Sequence, residues 1–387
     1  MNIFERIRVQ GFRRLRDVDL KLRPLNVLIG ANGSGKTSLL DVFSLLSASA
    51  RGELKRSIRD IGGIDSNLTV LRDFKGYKTH LAGFELDRRG CGDQIVTYVI
   101  SLSPKGNTYQ IPEESLTHTD DTIALFRPYI DKVQGDVIYY EQGDKLSPIS
   151  EFRQDEFESA LSQAPRVSRE TMAFQASLAS VTHYHVLDVS SRAPVRLPQQ
   201  MREAKLPGQN GEDLAACLYW MRETDPDRFE TIEDTLRVAF PSFERLNFPP
   251  VAAGLLAITW KERDVKHPFF MHQLSEGTLR FLWLVTLLYS PGLTEVTLLD
   301  EPEVSLHPEL LSVLAGCLRE ASQRTQLIVA THADRLVRFL TPEEVVVLDM
   351  EDGATTATRA DELDLGAWLS EYTLDQVWQN GRMGGRS

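Results

Sequence analysis

Apolar and polar positions alternate twice at the head of the chain, over Ile3–Val9 and Val18–Leu22, which predicts two short strands joined by a turn at Gly11-Phe12. After Pro24 the pattern changes to an apolar run, Leu25-Asn26-Val27-Leu28-Ile29, that leads into a glycine-rich turn as a strand would. A helix-like stretch, Ser38–Phe43, follows the turn. Residues 51–80 are polar and punctuated by glycine, and read as a loop-rich connection with short helices. Between residues 81 and 149 the signal turns to β, with short strands at Leu81–Leu86, Ile95–Leu102, Thr108–Ile111 and Asp136–Tyr140. Residues 151–180 and 211–240 carry helical spacing, as in Leu214, Cys217, Leu218 and Met221, and the Pro-, Gln- and Arg-rich stretch 188–210 reads as an exposed connection. Past residue 254 the α/β alternation returns, with a helix at Leu282–Tyr289, a strand at Val296–Leu299 and a helix at Leu310–Ala321. Strands at Leu327–Ala330 and Val345–Leu348 close the pattern, and there is no internal repeat. The expected organisation is one α/β lobe made from both chain ends. Residues 1–150 supply its first part and an antiparallel β subdomain, 151–253 a mainly helical insert, and 254–387 the remainder.

The glycine-rich turn carries the strongest chemistry. Gly30, Ala31, Asn32, Gly33, Ser34, Gly35, Lys36, Thr37 and Ser38 stand between an apolar strand and a helix, the setting a phosphate-binding loop requires. Glycines let the backbone N–H groups turn inward around phosphate oxygens, and the helix N-terminus adds partial positive charge. Lys36 can reach the β- and γ-phosphates and the Thr37 hydroxyl can ligate Mg²⁺. A nucleoside triphosphate is the implied ligand.

A second cluster lies after the insert. Val296–Leu299 delivers two adjacent carboxylates, Asp300 and Glu301, to the carboxyl edge of the sheet that also carries the glycine loop. There Asp300 can hold Mg²⁺ opposite Thr37, and Glu301 can orient or deprotonate water. Upstream, Leu274–Arg280 is a Ser-x-Gly turn opening a helix, with Ser275 and Gly277; downstream, His332 follows another apolar strand.

Composition narrows the setting. Charged residues make up 25% and hydrophobic residues 42% of 387, values of a soluble globular protein with a sizeable core. A net charge of −12 speaks against a uniformly basic nucleic-acid binder but leaves room for a local basic face. Arg6, Arg8, Arg13, Arg14, Arg16, Lys21 and Arg23 are the candidate face, or else the solvated side of a strand. The odd, widely spaced Cys91, Cys217 and Cys317 fit neither a disulfide framework nor a zinc site, and point to a reducing cytoplasm. No apolar signal core opens the chain, and the longest apolar run, Phe281–Tyr289, is far short of the ~20 residues that span a bilayer. No membrane partner is expected.

In combination these motifs resemble the ATP-binding-cassette type of P-loop ATPase. Gly30–Thr37 looks like its Walker A loop, Leu274–Arg280 its signature motif, Leu298–Glu301 its Walker B strand with the catalytic glutamate, Val304–Pro308 its D-loop, and His332 its switch histidine. Ile7–Leu15, Asp300–Pro308 and the ending Trp378–Gly385 are similar to the RecF/SMC/OLD-like branch and to bacterial AAA-family ATPases of comparable length. The resemblance implies a head-to-tail, ATP-dependent homodimer in which Ser275 and Gly277 bind the γ-phosphate in trans, with Glu301 activating water and His332 contacting the γ-phosphate. Lys36, Glu301 and His332 are the implied catalytic residues, Thr37 and Asp300 the Mg²⁺ ligands, and ATP the nucleotide. Two departures stand out. Glu276 and Thr278 replace the glycine and glutamine usual in the signature, and the Q-loop glutamine has three candidates, Gln94, Gln142 and Gln163. OLD-like relatives often carry a Toprim nuclease domain, for which the fifty or so residues after His332 leave no room. The implied role is an ATPase of DNA repair or phage defence acting on DNA or a separate effector. An ATP-sensing switch that gates a partner is the alternative. A transporter subunit is disfavoured because some 240 residues separate Lys36 from Ser275.

Overall fold

The computed structural model describes residues 3–70, 79–90, 94–120, 125–133, 136–141, 144–145, 155–165 and 168–384. Cys91 and Gln142 lie outside them. Along the chain, β1 (Phe4–Phe12) and β2 (Leu15–Lys21) form a hairpin, and β3 (Leu25–Ile29) leads through the glycine loop into α1 (Lys36–Arg51) and α2 (Leu54–Asp60). Seven strands follow: β4 (Ala82–Arg89), β5 (Ile95–Lys105), β6 (Thr108–Gln110), β7 (Glu114–Asp120), β8 (Leu125–Val133), β9 (Asp136–Glu141) and β10 (Asp144–Lys145). The middle holds α3 (Arg169–Ala179), β11 (Thr182–Tyr184), β12 (Gln199–Gln200), α4 (Leu214–Thr224) and α5 (Pro226–Ala239). Short strands β13 (Phe243–Asn247), β14 (Pro250–Val251), β15 (Leu255–Leu256), β16 (Thr259–Glu262) and β17 (Phe269–Phe270) come next. The final part runs α6 (Glu276–Tyr289), β18 (Val296–Asp300), α7 (Leu310–Ala321), β19 (Gln326–Ala330), α8 (Asp334–Val337), β20 (Val345–Glu351), β21 (Ala354–Arg359), α9 (Gly366–Leu369) and α10 (Leu374–Gln379).

These elements make the mixed α/β fold that the pattern implies. A six-stranded sheet has the order β11-β18-β19-β3-β20-β21, parallel except for β21. A nine-stranded antiparallel sheet, β10-β9-β8-β7-β5-β4-β1-β2 with β6 on β5, lies beside it. The central parallel strands are mostly apolar because both their faces are covered. Val27, Leu299, Leu327 and Val329 face a core shared with α4–α7, while Leu28, Leu298, Ile328 and Val346 face α1 and the antiparallel sheet. Helix α1 is therefore held between two sheets, with Leu39, Leu40, Val42, Phe43 and Leu46 buried.

Several elements differ from the sequence pattern for local reasons. The turn expected at Gly11-Phe12 falls at Arg13-Arg14, since β1 stays paired with β2 through Phe12↔Leu15. Residues 151–180 do not form one helix. Helix α3 begins only after Ser168, whose Oγ accepts from Thr171 N at 3.2 Å. Within 155–165, the buried Glu114 carboxylate takes the N–H groups of Ala160 (2.7 Å) and Leu161 (2.9 Å), donors that a helix would use internally. Residues 211–240 split into α4 and α5 at Asp225-Pro226, where Asp225 caps and Pro226 starts the second helix. Strands β7, β8 and β21 had no clear alternation to announce them. The stretch 151–253 also supplies β11 to the parallel sheet, alongside β18.

One buried side chain joins the two sheets. Gln326, at the head of β19, accepts from Phe4 N at 2.9 Å and donates to the carbonyls of Phe4 (2.8 Å) and Arg23 (3.1 Å). Replacing it by leucine strips these groups of their partner in a dry environment, at a cost of about 1–3 kcal/mol. Gln326→Leu is therefore expected to lower the urea midpoint with an unchanged slope; an unaltered midpoint would show that the contact contributes nothing.

Candidate functional site

Parallel pairing puts the reactive residues on one edge. Residue Ala330 of β19 pairs with Leu28 of β3 on one side and Asp300 of β18 on the other. The chain leaves all three strands there, so the glycine loop, Asp300-Glu301 and Thr331-His332 emerge side by side. Backbone bonds fix them: Glu301 N donates to Ala330 O at 2.8 Å, and Thr331 N to Leu28 O at 3.1 Å.

The loop is built to present N–H groups. Gly30 (φ 151°) has no room for a side chain, since a Cβ would stand 2.2 Å from Leu348 O. Gly35 (φ 102°) is the N-cap of α1, and no side chain caps that end. Residue Thr355 of β21 braces the loop, its hydroxyl donating to Ser34 O at 2.8 Å. Ser34 Oγ is buried with no hydrogen-bond partner among the described residues. Lys36 is buried, its Nζ donating to the carbonyls of Gly30 (2.6 Å) and Ala31 (2.9 Å). Burial pulls its ammonium down to about 8, against the charges of Glu301, Asp300 and Glu303. Uncapped helix donors, an orphaned hydroxyl and a buried cation suit a polyphosphate.

The opposite wall is acidic. Burial, then the Glu301 charge, raises the Asp300 carboxyl above its ordinary range, while His185 and Lys36 pull it down. Adjacent half-buried carboxylates of this kind suit a hard divalent cation, which Thr37 and Asp300 could hold. Glu301 adopts φ 48°, a left-handed conformation unusual for a side-chain-bearing residue, and its Oε1 stands 3.3 Å from His332 Nε2. Burial and then Lys36 lower the His332 imidazole below its ordinary value, against the opposing pull of Glu301.

A residue without an assigned role in the sequence holds this arrangement. Glu303 Oε1 accepts from Thr331 Oγ1 (2.6 Å), His332 N (3.0 Å) and Ala333 N (3.2 Å). It is a positioning residue for the His332 turn. It stands inside the acidic run quoted above, but nothing in the run says which carboxylate turns inward.

The signature turn is organised separately. Ser275 is exposed and caps α6, its hydroxyl accepting from Thr278 N at 3.1 Å and meeting Thr278 Oγ1 at 2.7 Å. Gly277 lets this turn approach the D-loop, since a Cβ would stand 2.5 Å from Ser305 O. Arg280 ties three segments, donating to Leu187 O (3.2 Å), Val304 O (3.4 Å) and Ser305 Oγ (2.5 Å). Of the Q-loop candidates, Gln94 opens β5 in the antiparallel sheet and Gln163 caps its own turn at Asp155, Glu158 and Ser159. The strand beside β18 is β11, and the residue that follows it is His185. Four of the seven N-terminal cations are ion-paired, Arg6 with Asp19, Arg8 with Asp17, Arg13 with Asp41 and Arg23 with Asp361.

Fold and site together define an ATP-binding ATPase of the ABC type, in the RecF/SMC/OLD-like branch. Over residues 25–338 the chain matches the family described as an AAA domain, putative AbiEii toxin, type IV TA system, and it belongs to that family. A stretch of 44 residues is 43% identical to the OLD nuclease of Thermus scotoductus, covering 11% of this chain and 8% of that protein. In fold the chain is similar to an SMC head solved with the C-winged helix domain of ScpA, at 15% identity over 93% of this chain and 99% of that one, TM-score 0.57. It is also similar to the Pyrococcus furiosus SMC head with an extended coiled coil bound to the ScpA C-terminal domain, at 12% identity over 98% of each, TM-score 0.52. Among the described residues no helix is long and apolar enough to cross a membrane.

The Glu303 contacts predict a local effect. In Glu303→Ala the amides of His332 and Ala333 lose a carboxylate acceptor, and their hydrogen exchange should quicken by about tenfold or more. Mass-spectrometric exchange over peptides spanning 326–338 reads this directly; unchanged protection would leave Glu303 without a positioning role.

Proposed function

We propose that the chain is an ATP-gated clamp: two copies close head to tail over ATP, hydrolyse it, and pass the change of state to DNA or to a protein effector. One observation carries this reading. The Glu301–His332 pair, 3.3 Å apart, stands on the strand edge beside the glycine loop, whereas exposed Ser275 keeps its hydrogen bonds within its own turn. A triphosphate on the loop is thus faced by hydrolytic groups of its own chain, and the signature serine is left for a second copy.

The roles follow from the positions. The N–H groups of Gly33, Ser34, Gly35 and Lys36 and the Lys36 ammonium hold the β- and γ-phosphates. Magnesium held by Thr37 and Asp300 would supply charge neutralisation there. Glu301, held close to His332, accepts the proton of the attacking water, and His332 donates toward the γ-phosphate. Ser275 Oγ and Gly277 N of the partner copy close the other side. The acidic Glu276 beside them weakens this contact, which favours a clamp that opens readily once the γ-phosphate is gone.

Pairing of Arg6, Arg8, Arg13 and Arg23 weakens the sequence feature that spoke for DNA, and the similarity to heads solved with ScpA and to an OLD nuclease supports a protein effector as well. Duplex at low salt separates the loads: turnover that rises with duplex and falls steeply with salt assigns DNA, and unchanged turnover assigns an effector.

Glu301→Gln should lower ATP turnover by ~100-fold or more. Light scattering should then find this variant as a dimer with ATP and a monomer without. Equal turnover in variant and wild type removes Glu301 from the chemistry, and an ATP-independent mass removes the clamp.

A further inference from the structure

Beside the nucleotide edge lies a pair of imidazoles to which the hydrolytic scheme gives no part. Strand β11 pairs in parallel with β18 through His183↔Leu298 and Tyr184↔Leu299, which sets His185 next to Asp300. Alternation along the strand turns Tyr184 into the core against Trp283, and His183 and His185 toward α1. The two rings lie 4.0 Å apart between centroids. One ligating atom from each of His183, His185 and Asp300 falls within 4.8 Å of the others.

The hydrogen bonds of His183 point the same way. Ser44 Oγ, which donates to Leu40 O at 3.2 Å, lies 3.0 Å from His183 Nδ1 and can accept from it. In that tautomer the bare lone pair is on Nε2. His183 Nε2 is buried, with no hydrogen-bond partner among the described residues. An oriented imidazole whose second nitrogen is an unpaired, buried acceptor is the arrangement a metal ligand requires, with Ser44 as its outer support.

We propose that His183, His185 and Asp300 form a site for one borderline divalent cation of the zinc, cobalt or nickel kind. Imidazole nitrogen suits these ions, whereas Mg²⁺ prefers an all-oxygen octahedron. In a tetrahedral set with ligands at about 2.0–2.2 Å the donor atoms stand ~3.3–3.6 Å apart, a spacing the exposed His185 can reach by side-chain rotation. Three protein ligands leave a fourth position open, toward the nucleotide edge. The site shares Asp300 with the nucleotide reading and rests on it for any effect on ATP, but its two nitrogen ligands are independent of that reading.

Cobalt is the probe, because its visible absorption reports nitrogen coordination. Full-length, tag-free protein stripped with chelator is titrated with Co²⁺ without nucleotide, and binding of a fluorescent ATP analogue with Mg²⁺ is measured alongside. One Co²⁺ per chain is expected, with a histidine-ligated spectrum, undisturbed by a hundredfold excess of Mg²⁺ and reversed by Zn²⁺. His183→Ala and His185→Ala should each weaken Co²⁺ binding by at least tenfold while the analogue still binds. Co²⁺ binding that is absent from the wild type, undiminished in either folded variant, or displaced by Mg²⁺ overturns the site. Loss of analogue binding in the wild type, with Co²⁺ binding intact, overturns the nucleotide reading instead. His185 is exposed, so its variant keeps the test open even where His183→Ala fails to fold.

Discussion

The placement of β19 between β18 and β3 is the constraint on which the site depends. Hydrogen-bonded on both sides and apolar on both faces, it aligns segments distant in sequence so that three strands end together. No side-chain contact could set this register as firmly, because a one-residue slip would exchange the residues that face the two cores. Gln326 at the start of the strand locks it to β1 and to the turn before β3, so the sheet's opposite ends are fixed by different means. At the amino end the fixing is a buried amide, and at the carboxyl end it is the chemistry itself.

That carboxyl end is electrostatically unfinished. Asp300, Glu301 and Glu303 crowd one side and buried Lys36 the other, and burial opposes every one of these charges whose ionisation it shifts. Glu303 is partly relieved by donors from the His332 turn, but Asp300 has no such set. A bound polyphosphate with its cation would answer both halves at once, the anion meeting Lys36 and the helix terminus, the cation meeting Asp300. Preorganisation here means a fold that tolerates unfavourable charge placement until its ligand arrives.

How much of this was legible in the sequence depended on whether a feature was contiguous. Gly30–Ser38 and Val296–Glu301 were legible because their chemistry and their secondary structure occupy the same few residues. His183 and His185 were not, because β11 is three residues long and gains meaning only by pairing with a strand more than a hundred residues away. The helix expected over 151–180 is not formed at 155–165 for a similar reason: its competitor, the Glu114 carboxylate, comes from a distant strand. Four N-terminal arginines looked like part of a basic face because their pairing is set by the fold: Arg6 and Arg8 meet Asp19 and Asp17 across the β1–β2 hairpin, and Arg13 and Arg23 meet the distant Asp41 and Asp361. Local pattern therefore located the glycine loop and the carboxylate strand, while long-range pairing decided what stands beside them.

The same pairing joins the proposed cation site to the signature turn. Two residues beyond His185, Leu187 offers its carbonyl to Arg280, whose other end holds Val304 and Ser305 of the D-loop. Arg280 belongs to α6, the helix that Ser275 caps, and Gly277 lies against the same Ser305 backbone. A shift at the end of β11 thus has a short, packed route to the surface that a second copy would meet, with one guanidinium at its centre. Packed contacts of this kind move as a unit rather than yielding atom by atom. The end of β11, the D-loop and the helix that Ser275 caps are thus held in one local arrangement through Arg280.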